Sequence, residues 1–228
     1  MTLDEMYAEM ELYGFDDLED SQKLMLLNEA YFDIVTREPW PFLEKTANIT
    51  VSDGVTRITN NSLVSPQITD LNSVLSFTDT SHNVILIPER ADVIEKNYKI
   101  NNLNVYPERY YFSREANTTP NNDLDLFVYP AVQGSTSYRL YYTVIPTGVT
   151  DTGNDTDSNT FLIPKRHHSI IVYGALVKAF LVNDDPQAAM FQNMFESRYQ
   201  QMRNDVWMKQ YDRTDRIHVM TDNYDWNY

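Results

Sequence analysis

The 228-residue chain lacks cysteine and contains only six glycines, and these two shortages exclude several kinds of active site. Without cysteine there is no disulfide framework, no thiolate metal site and no cysteine nucleophile. The six glycines do not form a phosphate-binding glycine loop, and the chain contains no GxSxG nucleophile elbow. Since no other motif pairs a nucleophile with a base, we predict no catalytic residue, no cofactor and no enzymatic activity.

Positive charge is also scarce, because 18 lysines and arginines face 33 aspartates and glutamates, which leaves a net charge of −15. Residues 1–38 hold eleven of these acids, against only Lys23 and Arg37. An acidic surface repels phosphate, so nucleic-acid binding through a basic patch is not expected. We interpret the acidic face either as a solvated surface, or as one that meets a basic partner or lets DNA slide past.

Long apolar segments are missing as well. The longest, Ile170–Val182, contains Lys178 and is shorter than the roughly 20 residues that span a bilayer. The first residues, MTLDEMYAEM, show no basic region followed by an apolar one, so no secretion signal is expected. We therefore expect a soluble protein with no membrane partner.

The histidines and the acidic loop residues do not form a metal-binding pattern. His167 and His168 are neighbours, so on a helix they would point about 100° apart, and we expect capping or interface roles for them. Asp155 and Asp157 resemble the start of a calcium loop, but Thr160 stands where such a loop needs glycine. We predict no metal site.

The strongest periodic pattern lies between Pro164 and Lys209, and it predicts two long helices in a hairpin. Apolar residues recur there at intervals of three and four, which places them on one face of each helix. Those of the first helix are Ile170, Tyr173, Gly174, Val177 and Leu181, and those of the second are Phe191, Met194, Phe195, Tyr199, Met202 and Val206. Between them, Asp185 and Pro186 are typical of a helix start.

Two further helices are predicted near the beginning of the chain. Thr2 and Glu5 fit a capping box that starts the first of them. The second is expected over about 21–37, and it stops before Pro39-Trp40-Pro41 because proline cannot continue the hydrogen-bonding pattern. We expect Trp40 to lie in the core.

The middle of the chain predicts a β-rich region, because short alternating segments are separated by turn residues. A hairpin is expected around Asp53-Gly54, with strands at 47–52 and 55–59. The other expected elements are strands at 74–77 and 84–87, a short helix within 88–97, and a meander of strands at 109–113, 124–129 and 138–145.

Together these elements predict an α+β fold, in which the N- and C-terminal helices form a helical bundle and a central antiparallel β region emerges from it. No break in composition separates domains, so we predict a single domain over residues 1–210. It would comprise helices within 2–38 and 164–210, a β-rich insertion at 45–146 and a polar loop at 147–160. The remainder, 211–228, is predicted to be a C-terminal docking tail.

This tail loses helical periodicity but is rich in large apolar residues. They are Tyr211, Ile217, Val219, Met220, Tyr224, Trp226 and Tyr228. Such a segment cannot bury these residues alone, so it either folds back on its own domain or docks on another chain. We favour docking, because aromatic residues are typical anchors of protein interfaces.

Three segments within residues 15–210 carry a family resemblance. They are TREPWPFL after an N-terminal helix, LDLFVYPAVQGSTSYRLYYTVIP in the β region, and FLIPKRHHSIIVYGALVKAFLVNDDPQAAMFQNMFESRYQQM at the C-terminal helices. In their order and in their pattern of residues they resemble tailed-bacteriophage head-to-tail adaptors, also called connectors, of the tail tubular protein A type.

The resemblance implies a structural virion protein. Such adaptors form a dodecameric ring in the neck, with the C-terminal segment in the portal and the opposite end receiving a tail tube, nozzle or terminator protein. DNA passes through the lumen without specific binding, and the ring is assembled in the host cytoplasm.

Three groups of residues receive hypothetical roles on this basis. The apolar residues of the tail would dock on the portal, and Thr150, Asp151, Asp155 and Asp157 of the polar loop would face the tail proteins. Ring packing would involve Ile170, Tyr173, Gly174, Phe191, Phe195 and Tyr199. An alternative function is a tail-associated carbohydrate- or receptor-binding module, because the tyrosine-rich strands could stack on sugars.

Overall fold

The computed structural model describes residues 1–97, 106–113, 125–150, 161–183 and 185–221, with their side chains except at Glu95, Asn97 and 208–221. The chain divides into two compact units. We call Met1–Leu43 with Pro146–Tyr228 the helical unit, and Glu44–Ile145 the sheet unit.

The described residues contain five α-helices and two short 3-10 helices. The α-helices are α1 (Leu3–Leu12), α2 (Asp20–Val35), α3 (Ala91–Asn97), α4 (Ser169–Val182) and α5 (Gln187–Thr221). The 3-10 helices are Pro41–Leu43 and Lys165–His167. α3 belongs to the sheet unit and the other four α-helices to the helical unit.

Local signals account for the bounds of the first two helices. Thr2 Oγ1 accepts a hydrogen bond from the Glu5 amide at 3.2 Å, and the Glu5 carboxylate accepts one from the Thr2 amide at 2.9 Å, which confirms the capping box. Gly14, with a φ of +91°, follows the end of α1. After α2, Trp40 is buried and its Nε1 donates to the Ile34 carbonyl at 2.9 Å.

α4 is the central element of the helical unit. Ten of its fourteen residues are buried, so other parts of the unit cover it on nearly every side. Gly174 permits the closest approach of its neighbours. A Cβ built at Gly174 would lie 2.9 Å from the Cβ of Ala30 in α2 and 3.1 Å from Cε2 of Phe195 in α5.

The described part of the sheet unit contains eight strands. They are β1 (Glu44–Val51), β2 (Val64–Ser65), β3 (Leu71–Asp79), β4 (Val84–Ile85), β5 (Ile87–Pro88), β6 (Arg109–Ser113), β7 (Asp125–Tyr129) and β8 (Thr136–Val144). Five form one antiparallel sheet in the order β2-β1-β8-β3-β4, and three form a second in the order β5-β6-β7. In the second sheet β5 and β6 are parallel, while β6 and β7 are antiparallel.

The core of the sheet unit lies between these two sheets. β8 is the middle strand of the first sheet, and its residues 136, 138, 140 and 142 are buried at the two-residue period of a strand. Phe77 of β3 contacts the rings of Tyr138 in β8 and Tyr110 in β6, at centroid separations of 5.4 and 5.9 Å. These aromatic contacts join the two sheets.

The prediction of a bundle formed by the N- and C-terminal helices was wrong. The protein is α+β, but eight strands build a large, mainly antiparallel β-sheet core, and the terminal helices do not form a clear bundle. The physical reason is that α4 is apolar on nearly all sides, so the other helices pack on it, while α1 and α2 have few contacts with each other. Periodicity indicates which face of a helix is buried, but not which partner covers it.

Three local predictions were also wrong. Residues 55–59 do not return as a strand beside β1, which pairs with β2 and the distant β8. β8 does not continue a meander, since β7 pairs with β6 in the second sheet. α5 continues to Thr221, although periodicity predicts its end near Lys209. The beginning of the predicted tail is therefore helical.

Candidate functional site

The residues predicted for ring packing lie inside the helical unit. Ile170, Tyr173, Gly174, Phe191, Phe195 and Tyr199 are all buried. Phe191 stacks on Phe180 with a centroid separation of 5.1 Å and meets Tyr13 edge-on at 4.9 Å. This packing holds the helices of the helical unit together, and Gly174 and Phe195 also line a surface groove.

One such groove, of about 240 Å³, lies between α2, α4 and α5. It is lined by Ala30, Asp33, Arg37, Gly174, Val177, Lys178, Leu181, Gln192 and Phe195. Its two cations are already paired, Lys178 with Asp33 at 2.7 Å and Arg37 with Glu196 at 3.0 Å. The groove therefore combines an apolar floor with a neutralised rim, which suits an uncharged apolar side chain better than an ion.

A single carboxylate ties α5 to the segment that follows α2. Glu38 accepts hydrogen bonds from Tyr199 Oη at 3.2 Å and Trp207 Nε1 at 3.1 Å, and it forms an ion pair with Arg203 Nε at 2.9 Å. Burial and then the charge of Glu38 raise the pKa of Tyr199 to about 12, so its hydroxyl remains a donor at neutral pH. α5 is anchored in this way as far as Trp207.

The predicted portal-docking residues begin beyond that anchor. Tyr211, Ile217, Val219 and Met220 lie on the continuation of α5, which ends at Thr221. A helix rises about 1.5 Å per residue, so α5 extends roughly 20 Å past Trp207. Tyr224, Trp226 and Tyr228 lie outside the described residues.

The two ends of the predicted tail-facing loop are attached to the helical unit. Asn28 of α2 holds the first end, because its Nδ2 donates to the Val149 carbonyl and its Oδ1 accepts from the Val149 amide, both at 2.8 Å. Phe161 at the second end is buried against Tyr31, with ring centroids 5.0 Å apart. Thr150 is exposed beside the first attachment point. Asp151, Asp155 and Asp157 of the loop lie outside the described residues.

The adjacent histidines connect the segment before α4 to other elements of the same copy. His168 is buried, and its ring nitrogens lie 3.0 and 2.8 Å from the carbonyl oxygens of Met1 and Ile163. Burial lowers the pKa of His168 and outweighs these two carbonyl groups, which act to raise it. His167 Nε2 lies 3.0 Å from Asp205 in α5.

A buried carboxylate of the sheet unit, Asp79, pairs with the more exposed His82, and this contact was not predicted from the sequence. Asp79, at the end of β3, accepts hydrogen bonds from the amides of Ser81 and His82 at 2.8 and 3.0 Å, and its other oxygen lies 2.9 Å from His82 Nδ1. The hydroxyl of Ser81 accepts a hydrogen bond from the Ser137 amide at 3.2 Å. These contacts close the turn between β3 and β4, as the Asp-Thr-Ser-His sequence would have allowed us to predict.

The tyrosines behind the carbohydrate-binding alternative contribute to the core of the sheet unit. Tyr110, Tyr138 and Tyr142 are buried, and burial raises the pKa of each of them. Tyr111 stacks on Phe127 with a centroid separation of 5.3 Å. The three buried rings are thus not available for stacking on a sugar.

Within the residues that the structure describes, no three histidine or carboxylate side chains come together as metal ligands would. In the same residues, no helix combines the length and the apolar character that crossing a membrane requires.

Comparison with known proteins adds one family match. The model of a family described as SU10 adaptor protein matches residues 1–220. No curated protein matches the chain. The family match covers the sheet unit and the helical unit as far as the last turn of α5.

Proposed function

The chain belongs to the SU10 adaptor protein family, a family of phage structural adaptors, and from this membership we propose that its copies form a ring in the neck of the virion. The ring joins the portal of the phage head to the tail and surrounds the DNA passage. The observation that carries the proposal is the match over residues 1–220, because it spans nearly the whole chain.

The role of such a ring is structural and non-enzymatic. Its proposed partners are further copies of the chain, in a dodecamer, together with the portal and a tail tube, nozzle or terminator protein. Assembly would take place in the host cytoplasm. DNA is cargo here, and the net charge of −15 supports a passage along which phosphate slides, because acidic surfaces offer it few contacts.

The continuation of α5 is the proposed portal-docking element, through Tyr211, Ile217, Val219 and Met220, with Tyr224, Trp226 and Tyr228 beyond it. We expect a chain ending at Gln210 to remain folded, because all three groups bound to Glu38 lie at or before Trp207. We also expect that chain to lose portal binding, measured by co-purification with the portal protein.

A chain with Tyr224, Trp226 and Tyr228 replaced by alanine is the matched control, because its length and its α5 are unchanged. It should bind the portal more weakly than the parent but more strongly than the truncated chain. Portal binding by the truncated chain at the level of the parent would remove the docking role.

The loop after Val149 is the proposed tail-facing element, through Thr150, Asp151, Asp155 and Asp157. Replacing residues 150–157 with a glycine–serine segment of equal length should preserve the fold, because Asn28 and Phe161 still hold both ends. Joining of the tail protein should be lost while portal binding persists. Unchanged tail joining would count against this assignment, and the same replacement at 116–123 serves as control.

A further inference from the structure

A basic pocket of about 190 Å³ lies beside the start of α4. Its charged lining consists of Arg166, His167, Arg198 and Asp205. Asp205, the one carboxylate in the lining of the pocket, is 2.8 Å from Arg166 Nη2 and 3.0 Å from His167 Nε2. It therefore interacts with these two residues.

Arg198 is the cation of this pocket that lacks a counter-charge. Its Nη1 donates to Gln201 Oε1 at 3.0 Å, and it also hydrogen-bonds to the Tyr173 hydroxyl, so both of these partners are neutral. Among the described residues, no carboxylate lies within ion-pair distance of it. An exposed arginine without an acid is notable in a chain with a net charge of −15, and a guanidinium is well suited to bind a carboxylate through two hydrogen bonds.

The complementary feature is the acidic turn between α1 and α2. Asp16 and Asp17 are exposed there, and no cation within the described residues lies at ion-pair distance from either. The nearby Lys23 is already held by Glu11 at 2.5 Å and Asp20 at 3.4 Å. The turn therefore presents two carboxylates that are free to accept an external cation.

The pocket and the acidic turn lie at opposite ends of α4. Ile170, at the start of α4, lines the pocket. Phe15, which directly precedes the two aspartates, packs on Phe180 near the end of α4. The ring centroids of Phe15 and Phe180 are 4.8 Å apart. Ten residues of helix correspond to roughly 15 Å, so the arginines and the aspartates of one copy cannot pair with each other.

Exposed apolar residues accompany the acidic turn. Leu12 is the last residue of α1 and Val182 the last of α4, and they are 85% and 82% exposed. Exposed apolar side chains and exposed acids thus occur together at this end of α4, and an interface likewise combines apolar contact with a polar rim.

We propose that neighbouring copies in the ring meet end to end, with the acidic turn of one copy bound to the basic pocket of the next. Two different patches on one chain that fit each other form a heterologous contact, which closes into a ring when the rotation between copies allows it. The inference rests on the proposed ring. It adds Arg166, Arg198, Asp16 and Asp17 as the pairs that set the orientation of neighbours.

Charge complementarity is the reason to choose a second copy as the occupant. Two chains of net charge −15 repel each other, so their contact needs a site where opposite charges meet. The pocket supplies the unpaired cation of Arg198, beside Arg166 and its partner Asp205, and the turn supplies the anions of that site. Double-stranded DNA is the competing occupant of a basic pocket, and charge-reversal variants distinguish it from a second copy.

The test uses two variants of the full-length chain, each of which reverses the charge of one of the two surfaces. The pocket variant carries Arg166→Glu and Arg198→Glu, and the turn variant carries Asp16→Lys and Asp17→Lys. Each alone should assemble about tenfold less than the parent or worse, because like charges then face each other. Arg90→Glu, a reversal at an exposed residue of the sheet unit, should leave assembly unchanged.

Mixing the two variants gives the sharper result. In a 1:1 mixture every contact again joins opposite charges, so rings should return, with the variants alternating. Assembly is followed by mass photometry, folding by circular dichroism, and composition by native mass spectrometry. A variant with only Arg198→Gln should assemble to an extent between those of the parent and the pocket variant. Because it changes a single exposed residue, it controls for misfolding of the doubly substituted chain.

Three outcomes would overturn the inference. The first is parental assembly of both reversal variants, and the second is no recovery in the mixture although both variants are folded. The third is a pocket variant that assembles like the parent but no longer binds double-stranded DNA. That result would mean that the pocket binds DNA phosphate and not a second copy. A parent chain that forms no ring, with or without the portal, would instead remove the proposed function on which the inference rests.

Discussion

At the scale of single residues, Gly174 shows how closely the helices of the helical unit pack. A Cβ at this position would come within 2.9 Å of the Ala30 Cβ and 3.1 Å of Phe195 Cε2. Alanine favours a helix by about 1 kcal/mol over glycine, but overpacking costs about 1–3 kcal/mol. Because the Ala30 Cβ is fixed to the backbone of α2, we expect overpacking to dominate.

Gly174→Ala should therefore lower the free energy of unfolding by about 1–2 kcal/mol, measured by urea denaturation. Removing the opposing methyl group with Ala30→Gly in the same chain should cost less than the sum of the two single changes, because the closest clash disappears. A Gly174→Ala chain as stable as the parent would mean that the helices separate easily at this crossing.

Residue-scale signals were predictable from the sequence where their partners are close in the chain. The Thr2–Glu5 capping box and the cap at Asp185, which accepts from the Gln187 amide at 2.8 Å, were both predicted and are confirmed. Asn28 was not predicted, because its partner Val149 is distant in sequence and only the folded chain brings the two together. Burial of His168 between two carbonyl groups was missed for the same reason.

At the scale of elements, Glu38 holds α5 to the segment that follows α2. Glu38→Ala removes the common acceptor of Tyr199, Arg203 and Trp207. We expect the free energy of unfolding to fall by about 1–3 kcal/mol, with faster amide hydrogen exchange over 199–207 and unchanged exchange in α1.

Glu29→Ala is the matched control for Glu38, because it removes another acid of the helical unit that pairs with α4 and not with α5. Its ion pair with Lys178 is 3.5 Å long and largely exposed, and Lys178 keeps Asp33 as a partner. Such a pair contributes about 1 kcal/mol at most. Equal effects of the two substitutions on α5 would show that Glu38 is not a specific anchor.

The end of α5 and the pairing of the strands were predicted wrongly from the sequence. Residues 211–221 lack an apolar stripe, yet they contain no glycine or proline and place Asp212 four residues before Arg216, a spacing that favours a helix. The Asp53-Gly54 turn was expected to form a hairpin, but β1 pairs with β8, about ninety residues later. Strand partners depend on the buried faces of the whole sheet, so short-range turn signals predict them poorly.

At the scale of the whole molecule, two compact units and an uneven charge distribution suit a part that repeats around an axis. The helical unit carries a basic pocket and an acidic turn at opposite ends, and α5 continues beyond its last anchor. A monomer in solution would gain nothing from such paired surfaces, whereas copies in a ring would use both. The family match over residues 1–220 indicates a phage structural adaptor.

Negative-stain electron microscopy of the purified chain, alone and mixed with its portal protein, tests the central claim most directly. We predict closed rings seen end-on, with a central channel, in at least the mixture, and stacking of that ring on the portal in side views. Single copies that neither form rings nor associate with the portal in either sample would contradict the account.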